Sequence, residues 1–99
     1  MSNRYALSET AETQLLDIYR YTARTFGVYQ AEAYYAGLIH TFELLAGFPL
    51  MGPDAGRLFP GLRRFTFQSH TIFYTASDTG IAIRQILHAR VQVRADLFR

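Results

Sequence analysis

The stretch SHTIFYTASDTGIAIRQILHAR, from Ser69 to Arg90, carries a histidine near each end, His70 and His88. Arg84 and Arg90 lie within it, and Arg63 and Arg64 come shortly before. These are the groups a metal-free ribonuclease would use. Such cleavage needs a proton acceptor, a proton donor and a cation within hydrogen-bond reach of one phosphate. An unperturbed imidazole titrates near neutrality and suits the proton work. The remaining histidine, His40, falls mid-helix at an exposed position and adds nothing. His70 opens a strand after a tight Gln68-Ser69 turn, which reads as a structural or surface position. Arg63 and Arg64 are successive strand residues and therefore point to opposite faces, so at least one is not core. The segment Gly52-Pro53-Asp54-Ala55-Gly56-Arg57 lacks the lysine and following Ser/Thr of a phosphate loop and reads as an ordinary loop. No His/Asp/Glu cluster has metal-ligand spacing and cysteine is absent, so neither a metal nor another cofactor is expected.

The elements that must position these residues follow from the pattern. Arg4–Leu7 is extended, and Ser8 is an N-cap with Glu9 and Glu12 near the positive end of the helix it starts. Ala11, Leu15, Ile18, Tyr19, Thr22 and Phe26 recur at helical steps as one buried face, and Gly27 stops the helix. A second helix follows almost at once, with Ala31, Tyr34, Tyr35, Leu38, Phe42 and Leu45 as its stripe and Gly47 and Pro49 as its close. So short a link makes the pair an antiparallel hairpin. Tyr19, Tyr34 and Tyr35 are read as core residues. Residues 49–61 hold all three prolines and form a loop. Strands are predicted over 62–68, 70–76 and 81–88, with Ser77-Asp78-Thr79-Gly80 as a hairpin turn. The tail VQVRADLFR shows no clear period. The order β-α-α-β-β-β predicts an α+β domain spanning 1–99, a helical hairpin on one face of a small antiparallel sheet.

Composition limits the functions open to such a domain. Ninety-nine residues, 49% hydrophobic and 18% charged, make one globular core. Eight Phe and seven Tyr are many for that core, so some should face a groove or a partner. Residues 1–50 hold three arginines against five acids, a balance of −2, and residues 51–99 hold seven against three, a balance of +4. Every basic residue is arginine, the better side chain for bidentate contact with carboxylate or phosphate, so the second half expects an anionic partner. The start MSNRYALSE lacks the apolar run of a signal peptide and no run is long enough for a bilayer. A cytoplasmic protein is expected.

Six segments in register, YTARTFG, QAEAYYAGL, LAGFP, GLRR, SHTIFY and ILHAR, together resemble the ParE toxins of the RelE/ParE superfamily. The resemblance runs from about Leu7 to Leu97. It implies the toxin half of a type II toxin–antitoxin pair, neutralised by a ParD-like antitoxin of ribbon-helix-helix type in a hetero-oligomer. ParE-like members inhibit DNA gyrase, whereas RelE-like members are ribosome-dependent ribonucleases. The ribonucleases place a basic residue at the head of the strand read here as Thr71-Ile72-Phe73-Tyr74, and lysines after the second helix. Threonine cannot carry that charge, and lysine is absent. Arg90 survives near the last strand's end, and His88 corresponds to a histidine that some ribonuclease relatives carry.

The resulting expectation is a non-enzymatic toxin that binds gyrase, with no membrane and no sequence-specific nucleic acid as direct partner. An apolar, acidic, largely disordered antitoxin segment would meet Arg63, Arg64, Phe65 and Arg84. Function-linked residues near the end of ParE-like chains put His88, Arg90, Arg94, Leu97 and Phe98 on the target side. Two alternatives stand beside it: a ribonuclease using His88 and Arg90, and a non-toxic member that only binds its antitoxin.

Overall fold

The computed structural model describes residues 4–99; the reading of the N-terminal signal region reaches into residues 1–3, outside the described residues. The elements are β1 (Arg4–Leu7), α1 (Glu9–Phe26), α2 (Val28–Gly47), β2 (Leu62–Phe67), β3 (His70–Ser77) and β4 (Gly80–His88), with a final 3-10 turn at Ala95–Phe98. Ser8 caps α1 as expected, its Oγ accepting from the Ala11 amide at 3.0 Å. Gly27, at φ 95°, ends α1 and begins α2 without a connecting loop. Only glycine holds that backbone cheaply, so the hairpin's tightness rests on it.

The sheet order is β1-β4-β3-β2. β2, β3 and β4 form the expected antiparallel meander, but β1 pairs with β4 in parallel, Arg4 opposite Gly80 through Leu7 opposite Ile83. The sheet is therefore mixed. The chain leaves β1 through both helices and re-enters at the far edge, and three antiparallel strands then bring β4 back alongside β1 in the same sense. Gly80 is needed at that junction, because a Cβ there would collide with the Arg4 carbonyl oxygen.

β4 also breaks its own alternation. Tyr74 faces Ile83 but Phe73 faces Gln85, so Arg84 is an extra residue in the pairing, a β-bulge. Ile81, Ile83 and then Ile86 consequently all join Leu38, Phe42, Leu45, Ile72 and Tyr74 under the helices. α1 covers the strand edge beyond β1. Ser8 Oγ donates to the Arg84 carbonyl at 2.8 Å, and the Ile86 amide donates to Gln14 Oε1 at 2.6 Å.

The sheet's other face has a second, smaller core of Ala55, Leu62, Phe73 and Phe98, flanked by Leu58, Phe59, Leu87 and Val93. β3 is thus buried on both sides. The loop supplies one wall and is tied to the sheet by Ala55 N–H to Leu62 C=O (2.8 Å) and Arg64 N–H to Pro53 C=O (3.0 Å). The buried Tyr74 hydroxyl donates to the Pro49 carbonyl at 2.7 Å and accepts from the Gly52 amide at 3.0 Å. The tail supplies the other wall: Phe98 is 4% exposed, with its ring 5.1 Å from that of Phe73. Assigning Phe98 to a target surface is therefore corrected, since the ring is spent on the core. Replacing Phe98 with alanine should cost about 3–5 kcal/mol, the usual loss for a buried ring. Deletion of 94–99 should destabilise at least as much, although the tail's sequence shows no clear period. Chemical denaturation of both variants measures this.

Candidate functional site

The bulge decides what stands beside what. Beyond it, His88 lies on the helix-facing side directly opposite His70, with ring centroids 5.3 Å apart. α2 adds Tyr34, whose hydroxyl is 2.6 Å from His70 Nδ1 and accepts from the Ser69 amide at 3.2 Å. Tyr34 also packs against Phe67 at 5.3 Å between centroids. His88 Nδ1 accepts from the Arg90 amide at 3.1 Å, which fixes the ring at the strand end. These groups floor a cavity of about 560 Å³ at the open end of the helical hairpin, walled by Asp17, Ile18, Tyr21, Thr22 and Phe26 of α1. Burial, and then the proximity of His88, push the His70 pKa below its ordinary 6.5.

Several residues assigned to the core face outward here. Phe26, at the end of α1, is 64% exposed. Tyr35 is exposed, and Tyr19 is only half-buried with its hydroxyl on Glu32. Tyr34 is half-buried as a wall of the cavity. Their helical spacing was right, but the sheet is too narrow to cover the whole stripe. A second apolar cluster, Leu44, Phe48, Leu50 and Met51, is exposed where α2 meets the loop.

The arginines divide between the two faces. Arg63 is committed to the loop, its Nη1 donating to the Gly52 carbonyl at 2.7 Å. Phe65 packs, half-buried, against the helix-side core. Both lie on the helix-facing side of β2, half-buried and engaged with the loop or the core. Arg64 and Arg84 lie on the opposite face, their guanidinium carbons 5.5 Å from the Phe73 ring centre and 4.7 Å from that of Phe59. Such stacking holds each guanidinium plane while leaving its N–H groups available. Among the described residues the single ion pair is Arg94 with Asp96 at 3.5 Å, so neither Arg64 nor Arg84 has a carboxylate partner. Thr71 is buried on this same face, opposite Leu87 and 3.3 Å from Thr66 through their hydroxyls. Arg90, Arg94 and Leu97 are exposed near the strand end and tail.

Sequence reasoning missed Tyr34 as a partner of His70 and missed the cavity itself. The broken alternation Ile81, Ile83, Ile86 was the available signal. Among the described residues no group of three or more His, Cys, Asp or Glu could hold a metal, and no helix is long and apolar enough to cross a membrane.

Comparison with known proteins follows the same lines. Residues 5–93 match the family model described as the ParE toxin of the type II toxin–antitoxin system parDE. The chain is similar to Toxin ParE1 of Mycobacterium tuberculosis, 37% identical over 98 residues, covering 98% of this chain and all of that protein. It is likewise 37% identical over 93 residues to Toxin ParE1 of Caulobacter vibrioides, covering 94% of this chain and 96% of the other. A solved structure described as the chromosomal ParDE system of P. aeruginosa shares the fold at a TM-score of 0.73 and 19% identity, over 89% of this chain and 95% of that one.

The His70 shift has a measurable consequence. A histidine whose folded pKa lies below its unfolded value takes up protons on unfolding, so it lowers stability as pH falls through about 6.5. Above that pH the imidazole is neutral in both states and the penalty vanishes. The melting temperature of wild type relative to His70→Gln should therefore drop between about pH 7.5 and pH 5.5, the range in which histidine titrates. Parallel melting curves at all pH values would show that His70 is not buried against its charge.

Proposed function

The chain belongs to the ParE toxin family of type II toxin–antitoxin systems, and from that premise we propose that it acts by binding DNA gyrase and is held inactive by a ParD-like antitoxin in a hetero-oligomer. One observation carries binding over catalysis. The imidazoles face the helices, whereas Arg64 and Arg84 lie on the other side of the sheet. A proton-transfer group and its phosphate-holding cation must converge on the same atoms, and the sheet stands between these. Thr71 sits on the arginine face as a buried hydroxyl with no charge to offer. Arg90 alone follows His88, and its backbone amide, not its guanidinium, meets that ring.

The same geometry suits an acidic, apolar antitoxin segment. Arg64 and Arg84 present pre-oriented guanidinium groups with no internal carboxylate, and Phe48, Leu50 and Met51 offer uncovered apolar area. Arg90, Arg94 and Leu97 stay available for the gyrase side, with His88; Phe98 acts there only by holding the tail in place. This assignment uses cytoplasmic partners and neither membrane nor sequence-specific nucleic acid.

Purified protein should reduce gyrase supercoiling or accumulate cleaved DNA while leaving mRNA on translating ribosomes intact, and His88→Ala should not change the RNA result. Codon-positioned mRNA cuts that disappear in His88→Ala would establish the ribonuclease reading instead. Absence of both activities, with antitoxin binding retained, would mark a non-toxic member.

The arginines are tested separately. Each charge-assisted bond to an antitoxin carboxylate contributes about 1.5–3 kcal/mol when partly desolvated. Arg64→Glu and Arg84→Glu should each weaken antitoxin binding by about tenfold or more and leave the melting temperature near wild type. Arg63→Glu should chiefly lower the melting temperature, because it releases the loop. Equal affinity across Arg64→Glu and Arg84→Glu, measured by titration calorimetry at two salt concentrations, would assign that face to solvent.

A further inference from the structure

The cavity at the open end of the hairpin has a donor pattern of its own. Tyr34 has one hydroxyl proton, and it can go to His70 Nδ1 at 2.6 Å or to the Phe67 carbonyl at 3.4 Å. At 3.4 Å the carbonyl is a poor acceptor, and the hydroxyl oxygen already accepts from the Ser69 amide, so we assign the proton to the histidine. His88 Nδ1 is likewise an acceptor, from the Arg90 amide. In both rings the Nδ1 lone pair is used, which places the neutral ring's proton on Nε2. Neither Nε2 has a partner among the described residues, and no buried side-chain polar atom is left unsatisfied, so both N–H groups are open to the cavity or to solvent. Two neighbouring imidazole donors beside Ile18, Tyr21 and Phe26 make a site with a polar floor and apolar walls.

We propose that this paired-histidine cavity receives a carboxylate of an acidic peptide segment, with a neighbouring apolar side chain of that segment on the α1 wall, and that binding is linked to proton uptake by His70. The occupant is the antitoxin, which would thereby cover the His88 assigned above to the gyrase side, a clause that rests on the toxin–antitoxin reading above. A carboxylate accepts from imidazole N–H groups, and its charge offsets for His70 the desolvation that disfavours the protonated ring. A polyphosphate backbone, with several charges to compensate rather than one, fits worse: no arginine is among the lining residues, and Asp17 is.

The groups facing the pair are Asp17 and Tyr21 from α1, Tyr34 from α2, each histidine from the other strand, and the Arg90 amide after β4. Asp17 is exposed and forms no ion pair with either ring. It helps hold the protonated rings and opposes an incoming carboxylate, so it sets a limit on affinity.

The sign of the linkage is definite. An opposite charge within hydrogen-bond reach favours the charged imidazole, so the bound state holds more protons than the free state. Affinity therefore rises as pH falls from about 7.5 toward 5.5, by up to about tenfold per pH unit for each proton taken up.

Imidazole nitrogen NMR on the whole protein tests this with two probes, acetyl-Leu-Phe-Glu-Leu-amide and its glutamine counterpart. The free protein should show both His70 and His88 in the Nε2–H form. The glutamate peptide should move the titration of His70 upward, and the glutamine peptide should not. Asp17→Asn should tighten the glutamate peptide. The double variant His70→Gln with His88→Gln keeps amide donors but cannot titrate, and should lose the pH dependence of peptide affinity. Equal responses to both peptides, or an equal response to inorganic phosphate, would overturn the assignment. An Nδ1–H form at either ring would overturn it at the outset. Because these measurements contain no antitoxin, their failure removes the histidine site and leaves the toxin–antitoxin reading to its own test.

Discussion

At Arg84 the β4 strand holds one residue more than its partner, and two polar side chains from α1 complete the hydrogen bonding that the irregularity leaves open. Ser8 reaches the Arg84 carbonyl and Gln14 the Ile86 amide, while Gln14 also donates to Gln85 Oε1 at 3.1 Å. Gln85 in turn donates to the Leu97 carbonyl in the tail. One polar chain therefore connects the first helix, the central strand and the C-terminal turn. A regular β4 would place Ile86 and His88 on the face away from the helices, because side chains alternate. The helix-side core would then lose Ile86, and the imidazole pair would not form.

From this arrangement the molecule acquires two unlike surfaces. The helix-facing end of the sheet is polar at its floor and flanked by aromatic rings. The opposite face carries arginines laid on phenylalanine rings over a small second core. A long guanidinium stacked on a ring loses less freedom when it meets an anion than one extended into water, so this face is suited to recognition by oriented charge. The tail matters for the same reason. Phe98 closes the second core under Phe73, and the arginines above it depend on that support.

Between a binding and a ribonuclease reading, the separation of charge from imidazole is the telling feature. Catalysis by general acid and base requires convergence, whereas binding needs only complementary surfaces that a partner's chain can reach in turn. A single small substrate cannot touch both faces of the sheet.

Much of this was legible in the residues. Ser8 as a cap, Gly27 as a helix stop, the loop rich in proline and the three-strand meander all follow from local chemistry, which depends on the nearest few residues. The six segments that resemble ParE toxins carried the family as well. What the sequence could not determine were relations between distant segments. The parallel pairing of β1 depends on where two helices return the chain. The exposure of Tyr35 and Phe26 depends on the width of the sheet under them, and the burial of Phe98 on a face that four separate segments close. The side on which His88 stands depends on one bulged residue, stabilised by side chains 71 and more positions away. Local propensity sets each element, but which faces meet is decided by burial and by the satisfaction of buried polar groups, and these exist only once the whole chain has packed.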